Sequence, residues 1–269
     1  MAERIFTDLG KKKAIIGMVH LGAMPGTPFF KEGSYEATLE QALRDAKALD
    51  EGGATGCLVQ TVEGAYPTGD DTDYARVVGV AHIVRAIAQE TRPDFQIGVQ
   101  IMANALQASL AVAKVSGGSF LRCFALVGKS NSPWGMIESN TLEFLNYRKQ
   151  IGGTNVKLIA EVDGMHFKWH GDPKPVAQIA HSAVRAGADG VEVANADEEA
   201  NQKQVHDIKA AFPELPVILG GHTNHENVAR RLSKADGAFV GSAFEPSGWG
   251  GPIDPHRVRE YMEIVRSLE

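Results

Sequence analysis

Ile218 to Phe244 reads ILGGHTNHENVARRLSKADGAFVGSAF. An apolar strand, Pro216–Leu219, runs into the glycine pair Gly220-Gly221, and a helix follows with Thr223 or Asn224 as its expected N-cap. Val228 and Leu232 mark the apolar face of that helix. After Asp236-Gly237 a second short strand, Ala238-Phe239-Val240, ends on Gly241-Ser242. Two strand ends that each break into glycine just before helical turns set backbone N–H groups side by side where a phosphate can sit. That is the layout found after the seventh and eighth strands of a (β/α)8 barrel. Gly220, Gly221, Gly241 and Ser242 are therefore expected together at one rim as an anion site, with His222 as a donor or a solvent-facing bystander. The alternative is a plain strand–helix–strand unit whose glycines only permit close packing.

Outward from that stretch the chain keeps the same rhythm. Strands are expected at Ala14–His20, Gly56–Thr61, Phe95–Met102, Phe120–Leu126, Lys157–Asp163, Gly190–Ala194, Pro216–Leu219 and Gly237–Val240. Amphipathic stretches alternate with them: Tyr35–Asp50, Tyr74–Glu90, Ala105–Val115, Thr141–Gln150, Pro175–Ala186, Asn201–Ala211, Asn224–Leu232 and Asp254–Ser267. Several end on glycine, as at Gly52-Gly53, Gly117-Gly118 and Gly187. Strict βα alternation without a linker predicts an α/β fold with a parallel sheet, and about eight units favour a closed TIM barrel over an open sheet. A single domain over residues 1–269 is expected.

The strands also carry the functional signal. A barrel strand is covered on both faces and should be apolar almost throughout, with side chains alternating between helices and lumen. In Lys157–Asp163 the set Leu158, Ala160 and Val162 belongs against the helices, which aims Glu161 and Asp163 into the barrel mouth. The same parity turns Glu192, Gln100, Gln60, Arg122 and His20 inward, late in their strands, where barrel enzymes keep their sites. A buried, unpaired carboxylate costs several kcal/mol. Three of them facing one arginine call for a divalent cation, a protonated His20 or His166, or a cationic part of the substrate. Carboxylate and imidazole ligands suit Mg, Mn or Zn, and Glu161, Asp163 and His166 are the candidate set. The structural alternative is a set of ion pairs with no role in chemistry. If the residues converge, repulsion and desolvation should raise the pKa of at least one carboxyl. Glu161, Asp163, Glu192, His20 and His166 are the expected acid–base groups, with Arg122 orienting an anionic group.

Hydrophobic residues make up 43% and charged residues 22% of 269, an ordinary globular balance. The net charge of −6 and the lack of basic clusters beyond Lys11-Lys12-Lys13 argue against a nucleic-acid surface. No run approaches about 18 apolar residues, so no membrane span is expected. MAERIFTDLG has no apolar run of the signal-peptide kind. Cys57 and Cys123 lie in apolar strands and read as reduced, buried thiols of a cytoplasmic chain. Glu63 and Asp70–Asp73 read as a solvated acidic loop. The connection Val127–Asn140 is the lid candidate, with Lys129 and Glu138 reaching inward. Trp134 and Trp249 sit in loops, for lid packing or an oligomer contact, and a homo-oligomer is expected.

The opening Ile16-Gly-Met-Val-His20-Leu-Gly-Ala-Met-Pro25-Gly26-Thr-Pro28 resembles the IGVIHL-x-PLPGSP signature of the BtpA/SgcQ family. Further matches run through Ser119-Phe-Leu-Arg122, Gly135-Met-Ile-Glu138, Glu226-Asn227-Val, Ala235-Asp-Gly-Ala and Ile253-Asp254-Pro255-x-Arg257-Val258, and cover essentially the whole chain. The resemblance implies a TIM barrel with a phosphate-type site, and His20, Arg122, Glu138, Glu161 and His166 match polar positions of the family pattern. The family takes its name from photosystem I biogenesis, and other members are associated with sugar-metabolism gene clusters. The lumen departs from the pattern. Ala103 and Ala105 stand where relatives read Arg and Asp in GVNVLRND. Ala160–Phe167 loses a histidine and a lysine of ADVHVKHA. Glu192 replaces an apolar residue, His222 a glycine and Glu245 a basic residue. Two functions are therefore expected to compete. One is an enzyme on a small phosphorylated sugar-like or nucleoside-like substrate, working as isomerase, lyase or glycosidic hydrolase. The other is a non-catalytic assembly factor of the photosystem I kind.

Overall fold

The computed structural model describes residues 4–268, so Met1–Glu3 of the amino-terminal stretch read above lie outside it. The chain runs β1 (Ala14–Leu21), α1 (Ser34–Gly52), β2 (Gly56–Thr61), α2 (Tyr74–Glu90), β3 (Gln96–Gln100), α3 (Leu106–Ser116) and β4 (Phe120–Cys123). A hairpin of β5 (Lys129–Ser132) and β6 (Gly135–Glu138) follows, then α4 (Thr141–Gln150), β7 (Lys157–Asp163), α5 (Val176–Arg185) and β8 (Gly190–Val193). The last units are α6 (Glu198–Ala211), β9 (Val217–Leu219), α7 (Val228–Arg231), β10 (Gly237–Val240) and α8 (Pro255–Arg266). Eight parallel strands close in the order β1-β10-β9-β8-β7-β4-β3-β2. The expected (β/α)8 barrel is the fold, and β9 and β10 are its seventh and eighth strands.

Alternation along the strands separates two cores. Leu158, Ala160 and Val162 of β7 join the large shell beneath the helices, together with Val191, Val193, Ile97 and Val99. The opposite parity supplies Ile16, Leu58, Phe120, Ile159, Ile218 and Phe239, which fill the lower half of the lumen. Gly98 is part of that packing, because a Cβ there would collide with Phe120 and Leu58. From below, Phe6 closes the barrel against Phe120, with ring centroids 5.6 Å apart. Lys13 of the lysine run donates to the carbonyls of Leu232 and Ala235 (2.9 and 2.6 Å), so it pins the bottom of the barrel. Above Phe120 and Ile159 the same parity turns polar, and this layer is the floor of the site.

Three expectations change. The helix after Gly220-Gly221 shrinks to Val228–Arg231, because Asn224 spends its side chain on a turn, accepting from the amides of Glu226 and Asn227 (2.9 and 3.0 Å). The Val127–Asn140 connection is a hairpin, β5–β6, turning at Pro133-Trp134. The loop after β2 is tied down rather than solvated. Glu63 is buried in a two-bond pair with Arg76 (2.9 and 2.7 Å), Asp73 caps α2, and Asp70 accepts from the Gln107 amide at the start of α3. Burial raises the Asp70 carboxyl to about 6 against the pull of that amide.

Candidate functional site

Strand register builds the floor of the mouth in two rows. His20 of β1 lies beside Gln60 of β2, and Gln60 beside Gln100 of β3. Gln60 donates to the Gln100 side-chain oxygen at 2.8 Å. Across the barrel Glu161 of β7 lies beside Glu192 of β8. Arg122 of β4 reaches between them, donating to both Glu192 oxygens at 2.6 Å and standing 3.4 Å from Glu161 Oε1. Glu161 also accepts from the backbone amides of His166 and Phe167, both at 3.2 Å, and from His166 Nδ1 at 2.9 Å. That last bond leaves His166 Nε2 as the ring atom free to exchange a proton with a ligand. Gly220 belongs to this layer for reasons of space, since a Cβ there would overlap the Glu192 carboxyl.

The charges do not balance. Two fully buried carboxylates share one guanidinium and one imidazole, which leaves one surplus negative charge whenever His166 is neutral. Burial pushes the Glu192 carboxyl up to about 7, with Arg122 opposing and Glu161 assisting. Burial pulls Glu161 the same way, but His166, Arg122 and the amides outweigh it and hold that carboxyl near 2. Burial works against the Arg122 charge, and Glu192 and Glu161 overcome it, so the guanidinium is held above its ordinary value. His20 falls to about 4, first through burial and then through Arg122, with Gln60 offsetting part of the shift. It is therefore neutral at pH 7, which removes a protonated His20 as the balancing cation. Its Nδ1 is buried without a hydrogen-bond partner, 3.9 Å from Glu245 Oε1, and Trp249 covers the ring at 5.4 Å.

Above this floor opens a cavity of about 1020 Å³ at the carboxyl end of the strands. His20, Gln60, Arg122 and His166 line it, as do Gly220, Gly221, His222, Gly241 and Ser242, so the two glycine breaks share one rim. The Gly220 amide is already spent on Val193 O (2.9 Å), which leaves the donors of that rim to the residues after it. Gly221 and His222 turn through left-handed backbone, φ +100° and +58°. Burial, then Arg231, lowers the His222 pKa. Gln100, Glu161 and Glu192 lie beneath this lining, held by the bonds above.

Two expected members are elsewhere. β7 slips register between Glu161 and Asp163, so that Asp163 pairs with Val193, an outward-facing residue. The bulge turns Asp163 to the helix side, where Lys168 Nζ at 2.5 Å and Gln204 of α6 hold it. Glu138 lies on the exposed hairpin, paired with Lys129 at 2.8 Å and not reaching the mouth. Of the proposed metal ligands only Glu161 and His166 stay together, and among the described residues no three His, Cys, Asp or Glu side chains converge as a metal site.

Two arginines not expected from the sequence, and Trp134 of the expected lid, complete the cavity. Arg231 reaches up from α7 and donates to the carbonyls of Asn195 and Ala196 (2.9 and 2.6 Å). Arg257 of α8 is fixed by its Nε on Ala243 O at 2.8 Å, beside Ser242. The hairpin leans over the mouth through Trp134, whose indole N–H donates to Gly64 O (3.1 Å) and whose ring meets Tyr66 edge-on at 4.6 Å.

Residues 11–267 match the BtpA family. The photosystem I biogenesis protein BtpA of Synechocystis sp. is 26% identical over 264 residues, covering 97% of this chain and 91% of the relative. The sgc region protein SgcQ of Escherichia coli is 26% identical over 265 residues, 97% of each chain. Among solved structures, tryptophan synthase of Mycobacterium tuberculosis superposes with a TM-score of 0.65 at 18% identity, over 100% of this chain and 98% of that one, a likeness of fold. No helix among the described residues is long and apolar enough to cross a membrane. The chain belongs to the BtpA family.

Proposed function

We propose that this member of the BtpA family is an enzyme. It acts by acid–base chemistry on a small phosphorylated, sugar-like or nucleoside-like substrate, as an isomerase, a lyase or a glycosidic hydrolase. The observation that carries the reading is the Glu161–His166 bond set against Arg122–Glu192 on the floor of an open cavity. A buried carboxylate that fixes the imidazole tautomer makes His166 Nε2 a general base, or an acid once protonated. His20, neutral at pH 7, stands in the same cavity as its counterpart. Glu192, with a pKa near neutrality, lets the cluster take up and release a proton during turnover. Arg122 spends its Nε and Nη2 on Glu192 and stands beside Glu161, so its first role moves from binding an anion to holding these two carboxylates in place. The anionic group falls instead to the Gly221–His222 and Ser242 rim, with Arg257 behind it.

The assembly role in the Synechocystis relative's name is the other reading. A surface for assembly has no use for a buried surplus charge under a cavity, and the enzyme reading accounts for it. The rest of the proposal is a single domain over residues 1–269, a cytoplasmic location and a homo-oligomer. The exposed apolar side chains of Tyr74, Val78 and Leu142 support the oligomer.

The test is a panel of phosphorylated sugars and nucleotides followed by NMR, with wild type beside Glu161→Gln. We expect wild type to convert a member of the panel. The variant should slow that conversion about 10²–10⁴-fold while keeping the wild-type circular dichroism spectrum. A Glu161→Gln protein that keeps the wild-type rate overturns the assignment.

A further inference from the structure

One corner of the cavity is built unlike the rest. Trp249 is 68% exposed over the mouth, in the loop Gly248-Trp249-Gly250-Gly251, and its ring lies 5.4 Å from the His20 imidazole. Glu245 anchors that loop by accepting from the Gly250 amide at 3.0 Å, so the indole is tethered there. Beneath it the lining is soft and apolar. Met18 and the His20 ring both approach the empty side of Gly241, and Met102 touches Gln60 through its sulfur at 3.6 Å. Phe239 and Val240 close the floor. Of the polar side chains here, Gln60 donates its amide to Gln100, and the buried His20 Nδ1 is left without a partner.

Resting on the reading of this cavity as a substrate site, we propose that its occupant carries a flat unsaturated ring beside its anionic group, and that the ring lies against Trp249 over the Met18–Met102 floor. Thioethers and indole faces both favour an aromatic ring, which fills an apolar corner without asking for many hydrogen bonds. A bare polyol placed there would bury several hydroxyls against one unpartnered ring nitrogen, and each group left unpaired costs affinity. Of the two substrate classes, this corner selects the nucleoside-like one, a phosphate monoester of a compound bearing a nucleobase-like ring.

The experiment uses the full-length chain with Trp134→Phe and Trp169→Phe, which leaves Trp249 as the only indole. Its emission is followed while inorganic phosphate, ribose 5-phosphate and adenosine 5′-monophosphate are titrated in turn, with binding checked by calorimetry. The expected result is quenching of Trp249 by the nucleotide, with an affinity at least about ten-fold above that for ribose 5-phosphate. Trp249→Ala should remove that advantage and leave ribose 5-phosphate binding unchanged. Equal affinity for the two phosphates, or an advantage that survives Trp249→Ala, overturns the ring subsite while leaving the anion site standing. A Trp249→Ala protein that changes oligomeric state and keeps its nucleotide affinity also overturns it, and makes the indole an interface residue. If none of the three compounds binds, the phosphate reading of the cavity falls as well.

Discussion

Arg76 and Arg122 are both buried guanidiniums gripped by glutamate, one on the outside of the barrel wall and one at its mouth. Arg76 meets a single carboxylate, Glu63, through two bonds, and its remaining N–H groups find the hydroxyls of Thr61 (2.8 Å) and Thr72 (3.2 Å). Charge and hydrogen bonds close on themselves, and neither residue lines the cavity at the mouth. Arg122 meets two carboxylates, one of which also binds an imidazole, and the whole set lies under an open cavity. The first arrangement needs nothing further. The second keeps a surplus charge whenever His166 is neutral, and its proton affinities are split between about 2 and about 7. Burial of an ion pair is common to both and so says little about function. Imbalance beside a cavity is what separates them.

The contrast breaks most visibly at Glu63. Glu63→Ala strands a buried guanidinium, and we expect about 3–5 kcal/mol of lost stability in urea denaturation. The affinity of the remaining folded protein for inorganic phosphate should not change. A loss below about 1 kcal/mol would mean that the Arg76–Glu63 pair does not hold the fold together.

Glu192 sharpens the contrast through pH. A carboxyl raised from 4.5 to about 7 stabilises the fold fully below pH 4.5, and that contribution is lost as the pH rises through 7. Wild type should therefore lose on the order of 2 kcal/mol between pH 4.5 and 8 relative to Glu192→Gln, whose profile lacks this slope. Chemical denaturation of both proteins across that range decides it, and parallel profiles would contradict the assignment. At the small end, Asp163→Asn removes only a half-exposed pair with Lys168, worth less than about 0.5 kcal/mol, and should leave ligand binding untouched.

How much of this was legible in the sequence follows from what each residue depends on. The inward position of Glu161, Glu192, Gln60, Gln100, Arg122 and His20 was readable, because a strand covered on both faces marks its lumen side by any polar residue it tolerates. Asp163, on the same parity, failed because a single bulge at Val162 reverses everything after it, and no local residue announces a bulge. Glu63 looked solvated because its partner lies thirteen positions on, at the start of another helix. Arg231 and Arg257 reach the cavity from helices, where an arginine ordinarily signals a solvated face. The barrel came from rhythm, which is local, whereas the balance of charge in the mouth depends on long-range contacts.

The central claim is that the mouth cluster holds a proton at neutral pH while one of its carboxylates stays ionised. Carboxyl 13C NMR of glutamate-labelled protein measures this directly, with Glu161→Gln and Glu192→Gln spectra assigning the two signals. The account predicts that Glu192 titrates near 7 and that Glu161 stays ionised throughout the range in which the protein is folded. If both carboxyls are fully ionised at pH 6, the cluster is a second closed ion pair like Arg76–Glu63, and the case for proton transfer at this site is gone.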